Sequence, residues 1–336
     1  MHFDRELLLK HAQKRVDQEV EDKKDIIAAY LRGSLLFGSP FLGGAGDIDL
    51  VFIHSGKPEI SRSIEPITAE LHYDIEHHPE KTYRDPSSLR THPWLGPTLQ
   101  DAKPLHDPRH FIDYTQSGVR SNFFAPANVL LRAQKPLDQA RSFWMEHQLD
   151  PPPAGASEIL AFLDAVQHGV NALALLSGPP LTTRRLGFEF QIQAEAVDAP
   201  RAYTAFLALL GGNKIDPPQI QTWLGDWEKT IASLNPTHHP EKFLAQKANY
   251  FQKAIQALLH SERPASALWP LLYTWTKAAA SPATQQDENA AWQNACQELG
   301  LWGDDFAECL ESLDAFLDQV QQTVKAWSLG RGAELP

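Results

Sequence analysis

The stretch from Gly33 to Ile53 reads Gly-Ser-Leu-Leu-Phe-Gly-Ser-Pro-Phe-Leu-Gly-Gly-Ala-Gly-Asp-Ile-Asp-Leu-Val-Phe-Ile. It joins a Gly-Ser pair, a glycine-rich loop and an apolar run, which predicts a turn, a loop and a β-strand in that order. Asp47 and Asp49 stand two residues apart at the start of the strand. Their side chains should therefore lie on one face, roughly 6–7 Å apart, with Ile48 and Leu50 on the other.

Two carboxylates held side by side repel each other, and this repulsion raises the pKa of one of them unless a cation lies between them. A glycine-rich loop before such a pair is suited to phosphate, because glycine allows backbone N–H groups to approach a ligand closely. The stretch therefore predicts a Mg²⁺ site that holds a nucleoside triphosphate.

The flanking sequence predicts further parts of a small α/β unit. Apolar residues at helical spacing indicate an amphipathic helix over 3–21, and a short apolar stretch indicates a strand over 26–31. Polar and apolar residues alternate over 70–77, so a third strand would place His72, Asp74 and Glu76 on one face. From 79 to 126 the chain is rich in Pro, His and Asp, which predicts connecting segments with one further strand or helix.

The second part of the chain has a helical pattern. We expect helices at about 126–133, 136–149, 157–176, 183–197, 200–210, 217–233, 240–261, 265–279, 286–299 and 304–327, with five tryptophans in the core: Trp223, Trp227, Trp269, Trp275 and Trp292. The predicted fold class is α+β, with a small head of mixed sheet and flanking helices over 1–120 and an all-helical domain over 121–336.

The charge and composition of the chain favour some classes of function and disfavour others. The chain of 336 residues has a formal net charge of −12, which disfavours long nucleic acids and favours cationic small molecules. No apolar run is long enough to span a bilayer, and the first residues do not form a secretory signal.

Cys296 and Cys309 are the only cysteines, and we expect buried thiols in a cytoplasmic protein. His77 and His78 lack metal-ligand spacing to a second cluster, so we expect them in solvent.

Gly33-Ser34, twelve residues, Asp47-Ile48-Asp49 and the later Tyr73-Asp74-Ile75 together resemble the nucleotidyltransferase superfamily. The resemblance covers about residues 26–77, and the helical second part is similar to the kanamycin- and streptomycin-nucleotidyltransferase-like branch. The segment Leu105-His106-Asp107-Pro108 also resembles one that is common in that branch.

The resemblance implies a role for each motif residue. Gly33 and Ser34 would bind the phosphates of ATP or another nucleoside triphosphate, while Asp47 and Asp49 would hold one or two Mg²⁺ ions. Asp74 would complete the metal site or accept the proton of an attacking hydroxyl. Glu76 has a similar sequence context, so the identity of the third carboxylate stays open.

The implied reaction is transfer of a nucleoside monophosphate, AMP from ATP, to a hydroxyl of a small acceptor. The acidic charge and the resemblance both favour an aminoglycoside-like cation as the acceptor. Arg184 and Arg185 begin a helix of the second domain and are candidates for binding the triphosphate. The alternatives are nucleotidylation of a protein or tRNA, as in toxin–antitoxin systems, and a non-catalytic nucleotide-binding module. A homodimer stays open as the assembly.

Overall fold

The computed structural model describes residues 4–38, 40–148, 152–234, 241–281 and 289–334. The chain divides into two compact units, Met1–Asn128 and Val129–Pro336. The division thus falls after residue 128, whereas the sequence pattern suggested a boundary after residue 120. The fold class is α+β, as predicted.

The first unit contains one five-stranded mixed sheet with flanking helices. Its elements are α1 (Arg5–Asp22), β1 (Ile26–Arg32), β2 (Gly46–His54), β3 (Arg62–Pro66), β4 (Leu71–Pro79), α2 (Pro86–Arg90), α3 (Leu95–Asp101), β5 (Lys103–His106) and α4 (Phe111–Arg120). The strand order is β3-β4-β2-β1-β5. β2 and β4 run parallel at the centre, and the other neighbours are antiparallel.

Alternation along the strands gives the sheet two different faces. One face carries Ile48, Leu50 and Phe52 of β2 and packs with apolar residues of α1. The other carries Val51 and Ile53 of β2 and forms a second core with α4 and neighbouring segments. The β2 residues that precede Val51 on this second face are Asp49 and Asp47. The sheet therefore presents its carboxylates just beyond the end of a hydrophobic core.

The second unit is helical. Its helices are α5 (Pro126–His147, which begins in the first unit), α6 (Ala156–Ala174), α7 (Leu186–Ala196), α8 (Pro200–Leu209), α9 (Pro217–Ser233), α10 (Glu241–Gln246), α11 (Ala248–Leu259), α12 (Leu268–Ala279), α13 (Ala290–Leu299) and α14 (Asp305–Leu329). The five tryptophans predicted as core are all buried. Three of them donate to threonine hydroxyls: Trp227 to Thr274, Trp275 to Thr230 and Trp292 to Thr276.

Several predicted elements were wrong in detail. The two helices expected at 126–133 and 136–149 form the single helix α5, with Pro136 inside it. The helix expected over 240–261 is divided at Lys247 into α10 and α11. The short strand β3 was not predicted at all, and the segment 79–126 contains three α-helices, a 3₁₀ helix and a strand rather than one element. The predicted start of the helix at 286 lies outside the described residues.

Within the described parts of the chain, we find no helix that combines the length and the apolar character needed to cross a bilayer.

Candidate metal centre

The parallel pairing of β2 with β4 brings the predicted carboxylates together. Asp47 pairs in register with His72, and Asp49 pairs with Asp74. Paired residues of neighbouring strands share a face, so all four side chains project from the same side of the sheet. Asp47 and Asp74 are only 5% and 1% exposed, whereas Asp49 is half-buried. Two of these carboxyl groups thus lie in a site that is largely shielded from water.

Three of these side chains offer ligand atoms close enough for one ion. Asp47, His72 and Asp74 each contribute one donor atom, and the three atoms lie within 4.8 Å of one another. His72 Nε2 lies 3.9 Å from Asp47 Oδ2, which is too long for a hydrogen bond. Among the residues that the structure describes, no other three His, Cys, Asp or Glu side chains bring their donor atoms this close together. Its two carboxylates and one imidazole are donors that divalent cations accept.

Gly33 forms the wall of the site next to Asp49. Its φ is +80°, in the left-handed region that favours glycine. A Cβ atom placed on Gly33 would lie 2.1 Å from Asp49 Oδ2, so the backbone approaches the carboxylate more closely than any side chain permits. Ser34 follows directly and opens the 3₁₀ turn Ser34–Leu36. Gly33 is therefore directly adjacent to Asp49, with Ser34 as the next residue along the chain.

Asp74 already has a strong cationic partner inside the protein. Arg62 on β3 donates from Nε to Asp74 Oδ1 at 2.7 Å and from Nη2 to Oδ2 at 2.5 Å. The Arg62 side chain is 37% exposed and the Asp74 side chain 2% exposed, so the pair extends from solvent into the sheet. Burial acts to lower the pKa of Arg62, but the bonds to Asp74 outweigh it and raise that pKa. A cation at Asp74 must compete with this guanidinium.

Glu76 lies in a different environment from Asp74. It accepts from Arg32 Nη2 at 2.6 Å, and its other oxygen lies 3.1 Å from His78 Nε2. Burial acts to raise the pKa of Glu76, but the bond to His78 and the charge of Arg32 outweigh it and lower that pKa to about 2. Glu76 is therefore an ionised carboxylate next to the candidate metal group, and not one of its three members.

A chain of hydrogen bonds continues from Glu76 into the core. His78 Nδ1 lies 2.6 Å from the Tyr83 hydroxyl, which lies 2.9 Å from the Tyr30 hydroxyl. Burial raises the pKa of Tyr30 to about 12 and that of Tyr83 well above its ordinary value. Both phenols thus stay protonated at neutral pH, and the Tyr83 hydroxyl holds His78 beside Glu76.

The expectation that His77 and His78 lie in solvent was wrong. β4 extends to Pro79, so both residues are in the sheet, with His77 buried and His78 half-buried. On the face opposite the carboxylates, His77 Nδ1 lies 2.9 Å from His54 Nε2, and His54 Nδ1 lies 2.6 Å from Asp25 Oδ2. Burial and the neighbouring His54 lower the pKa of His77 to about 4.

The other predicted residues are in the second unit or have structural roles. Arg184 is buried, with its guanidinium 4.0 Å from the ring centroid of Tyr250, and Arg185 lies 3.7 Å from Glu189. Asp107, in the segment that resembles the family, accepts from the first backbone N–H groups of α4 and so caps that helix. Both cysteines are free thiols, Cys296 buried and Cys309 half-buried.

The sequence pattern did not reveal Arg62 or Arg32 as neighbours of the carboxylates, and it indicated no role for His72. The alternation over 70–77 had placed His72 on the same face as Asp74, which was the available signal. Arg62 lies in a strand that the sequence did not reveal, and Arg32 becomes a neighbour of Glu76 only through the strand order. No protein-family model matches the chain, and none of the curated proteins shows significant sequence similarity to it.

Proposed function

We propose that the chain is a nucleotidyltransferase that depends on a divalent cation and transfers AMP from ATP to a hydroxyl of a small cationic acceptor. The observation that carries this proposal is the group of Asp47, His72 and Asp74 donor atoms within 4.8 Å, beside Asp49 and the Gly33 turn. The order of strand, Gly-Ser turn, glycine-rich loop and carboxylate strand agrees with the resemblance that the sequence shows.

The donor set suits a divalent ion, with Asp47, Asp49 and Asp74 as the carboxylates that would hold it. When bound, such an ion neutralises charge on the triphosphate and on the departing pyrophosphate. Gly33 and Ser34 bind the phosphate oxygens through backbone N–H groups and the Ser34 hydroxyl, and the missing side chain of Gly33 lets this turn lie directly against Asp49. These residues fix the α-phosphorus relative to the acceptor.

In the proposed reaction the acceptor oxygen attacks the α-phosphorus, a new P–O bond forms, and the bond to pyrophosphate breaks. The hydroxyl proton goes to a carboxylate, for which Asp74 and Glu76 are the candidates. Glu76 is held by Arg32 and His78 and is only half-buried. Asp74 is held by Arg62, which has to release one of its oxygens first. Comparing Asp74→Asn with Glu76→Gln at saturating metal would separate the two roles.

The acceptor class follows from charge. A net charge of −12 raises the local concentration of cations around the protein and lowers that of nucleic acids. An amine-rich polyol such as an aminoglycoside supplies both the positive charge and the hydroxyl. The role in triphosphate binding expected for Arg184 and Arg185 stays a prediction.

The test is incubation of the full chain with ATP labelled at the α-phosphate, Mg²⁺ or Mn²⁺, and a panel of cationic and neutral polyols. We expect label on an acceptor and stoichiometric pyrophosphate. Asp47→Asn should abolish both, because it removes a carboxylate from the ligand group. Asp22→Asn is the matched control, since Asp22 is an exposed aspartate at the end of α1. Pyrophosphate release that persists unchanged in Asp47→Asn would contradict the assignment.

One observation favours a second candidate function, a nucleotide-binding module without catalysis. The Arg62 guanidinium already neutralises Asp74 through two hydrogen bonds, so the protein supplies a cation where an enzyme would bind a metal. ATP binding by calorimetry that does not change with added metal, together with no pyrophosphate across the acceptor panel, would establish this alternative. Metal-dependent turnover would exclude it.

A further inference from the structure

His72 supplies the imidazole of the candidate metal group. It is the second residue of β4, in register with Asp47, and it is 7% exposed on the carboxylate face of the sheet. Its Nε2 atom lies 3.9 Å from Asp47 Oδ2 and belongs to the three-atom group with Asp47 and Asp74. An imidazole nitrogen thus points into the same small volume as two buried carboxylates.

The separation of these atoms is that of two ligands rather than of a hydrogen-bonded pair. Hydrogen bonds from nitrogen to oxygen end near 3.2 Å. Two ligand atoms that each lie about 2.0–2.2 Å from one ion are separated by at most about 4.4 Å. The 3.9 Å between His72 Nε2 and Asp47 Oδ2 falls inside the second range and outside the first.

The donor chemistry then distinguishes between metals. Mg²⁺ is a hard ion that takes oxygen ligands and keeps several waters. Imidazole nitrogen is a borderline donor that favours first-row transition ions over Mg²⁺. Carboxylate oxygens suit both Mg²⁺ and Mn²⁺, and neither Asp49 nor Glu76 would add a nitrogen ligand.

We infer that His72 Nε2 is a ligand of the metal ion at this centre, and that the centre prefers a first-row transition ion such as Mn²⁺ to Mg²⁺. The inference rests on the metal centre of the proposed function and specifies which ion that centre takes. With Nε2 on the metal, the imidazole proton is carried by Nδ1. The Mg²⁺ predicted from sequence would then be the weaker of the two cations at this site.

The experiment uses the full chain and Mn²⁺ without nucleotide. Free Mn²⁺ is counted by its electron paramagnetic resonance signal, and Mg²⁺ is titrated as a competitor, which gives the ratio of the two dissociation constants. Electron spin echo modulation of the bound Mn²⁺ reports directly bonded nitrogen. Labelling the wild-type protein with ¹⁵N-histidine changes that modulation without any substitution. This measurement therefore does not require a variant that folds.

We expect saturable Mn²⁺ binding and histidine nitrogen modulation in the wild type. His72→Asn should remove the modulation and lower the preference for Mn²⁺ over Mg²⁺ roughly tenfold or more, since even indirect partners of metal ligands contribute 10–100-fold. His110→Asn is the matched control, because His110 is a largely exposed histidine outside the three-atom group, and its φ of +54° is one that asparagine also adopts. It should leave both the modulation and the preference unchanged.

The possible failures can be told apart. Two results would overturn this inference but leave the proposed metal centre intact, provided that Asp47→Asn abolishes Mn²⁺ binding. The first is bound Mn²⁺ without histidine modulation. The second is an unchanged preference for Mn²⁺ over Mg²⁺ in a folded His72→Asn protein. A wild type without saturable Mn²⁺ binding, or with binding that Asp47→Asn leaves unchanged, overturns the inference and the metal centre together.

Discussion

At Gly33 the backbone and a carboxylate occupy space that any side chain would need. The residue has φ +80°, and an added Cβ would lie 2.1 Å from Asp49 Oδ2. We expect Gly33→Ala to lower the free energy of unfolding by about 1–3 kcal/mol, through backbone strain and displacement of the carboxylate. It should also weaken Mn²⁺ binding, because Asp49 must turn away from its position beside the ligand group.

The matched control for that substitution is Gly44→Ala. Gly44 has a similar φ of +84°, but an added Cβ would have no atom within 4 Å. Both substitutions therefore introduce strain into a left-handed backbone conformation, and only Gly33→Ala also displaces Asp49. Urea unfolding and the Mn²⁺ titration measure the two effects. Equal Mn²⁺ affinity in the two variants would show that the contact with Asp49 has no part in metal binding.

The Arg62 guanidinium occupies both oxygens of Asp74. Arg62→Met removes the guanidinium that forms two hydrogen bonds with the buried carboxylate of Asp74. The free energy of unfolding of the metal-free protein should fall by about 1–3 kcal/mol. The loss is smaller than for a fully buried ion pair because Arg62 is partly exposed. Saturating Mn²⁺ should restore that stability and bind more tightly than in the wild type, since its competitor is gone. Hydrogen exchange of peptides from β2 and β4, with and without Mn²⁺, measures both effects.

Arg62→Lys provides the comparison, because lysine keeps the charge but cannot form the forked pair. It should fall between the wild type and Arg62→Met in Mn²⁺ affinity. If Mn²⁺ affinity were the same in all three proteins, Arg62 would not compete with the ion for Asp74.

The residues of the candidate site differ in how far the sequence could predict them. Asp47 and Asp49 were predicted to share a face because the period of a strand requires it, and the structure places both there. The partners of Asp74 were not predictable in the same way. Arg62 is twelve residues from Asp74 and meets it only because β3 pairs with β4. Contacts between strands depend on the pairing register, which the sequence of a single strand does not specify.

The same distinction holds for whole elements. β2 and β4 were predicted because long alternating or apolar runs give a strong signal, whereas β3 is five residues long, lies at the edge of the sheet and ends in proline. The prediction of two helices around Pro136 failed because proline usually ends a helix. In α5, Pro136 is buried and the helix continues past it, so tertiary packing outweighs the local preference.

The far end of β4 gives a prediction about pH. His77 has a pKa of about 4, against 6.5 ordinarily, because it is buried beside His54. A histidine with a lowered pKa in the folded state contributes stability above pH 6.5 and loses it as the pH falls toward 4. The loss should reach about 3 kcal/mol by pH 4. Urea unfolding by far-UV circular dichroism at pH 7, 6, 5 and 4 measures it.

The comparison for that prediction is His77→Gln, which removes the titrating group and keeps a side chain that can hydrogen-bond to His54. Asp25 and Glu19 titrate at lower pH in both proteins, because their pKa values are lowered by their basic partners. The difference in stability between wild type and variant should therefore shrink between pH 7 and pH 4. A difference that stays constant over this range would show that His77 does not titrate there.

The dominant electrostatic property of the protein is its net charge of −12. Such a charge attracts cations over distances set by the Debye length, about 30 Å at 0.01 M salt and 8 Å at 0.15 M. If the acceptor is a cationic polyol, kcat/KM for it should fall several-fold as NaCl rises across this range. ATP is repelled by the same charge, so the comparison requires saturating ATP and metal at every salt concentration.

A neutral polyol measured in parallel separates attraction of the acceptor from other effects of salt. Its kcat/KM should change little, since no net charge on the acceptor responds to the field of the protein. Salt effects on ATP, on the metal or on the fold would change both acceptors equally. The ratio of the two values against ionic strength is therefore the quantity to plot, and a flat ratio would show that the acidic surface does not select the acceptor.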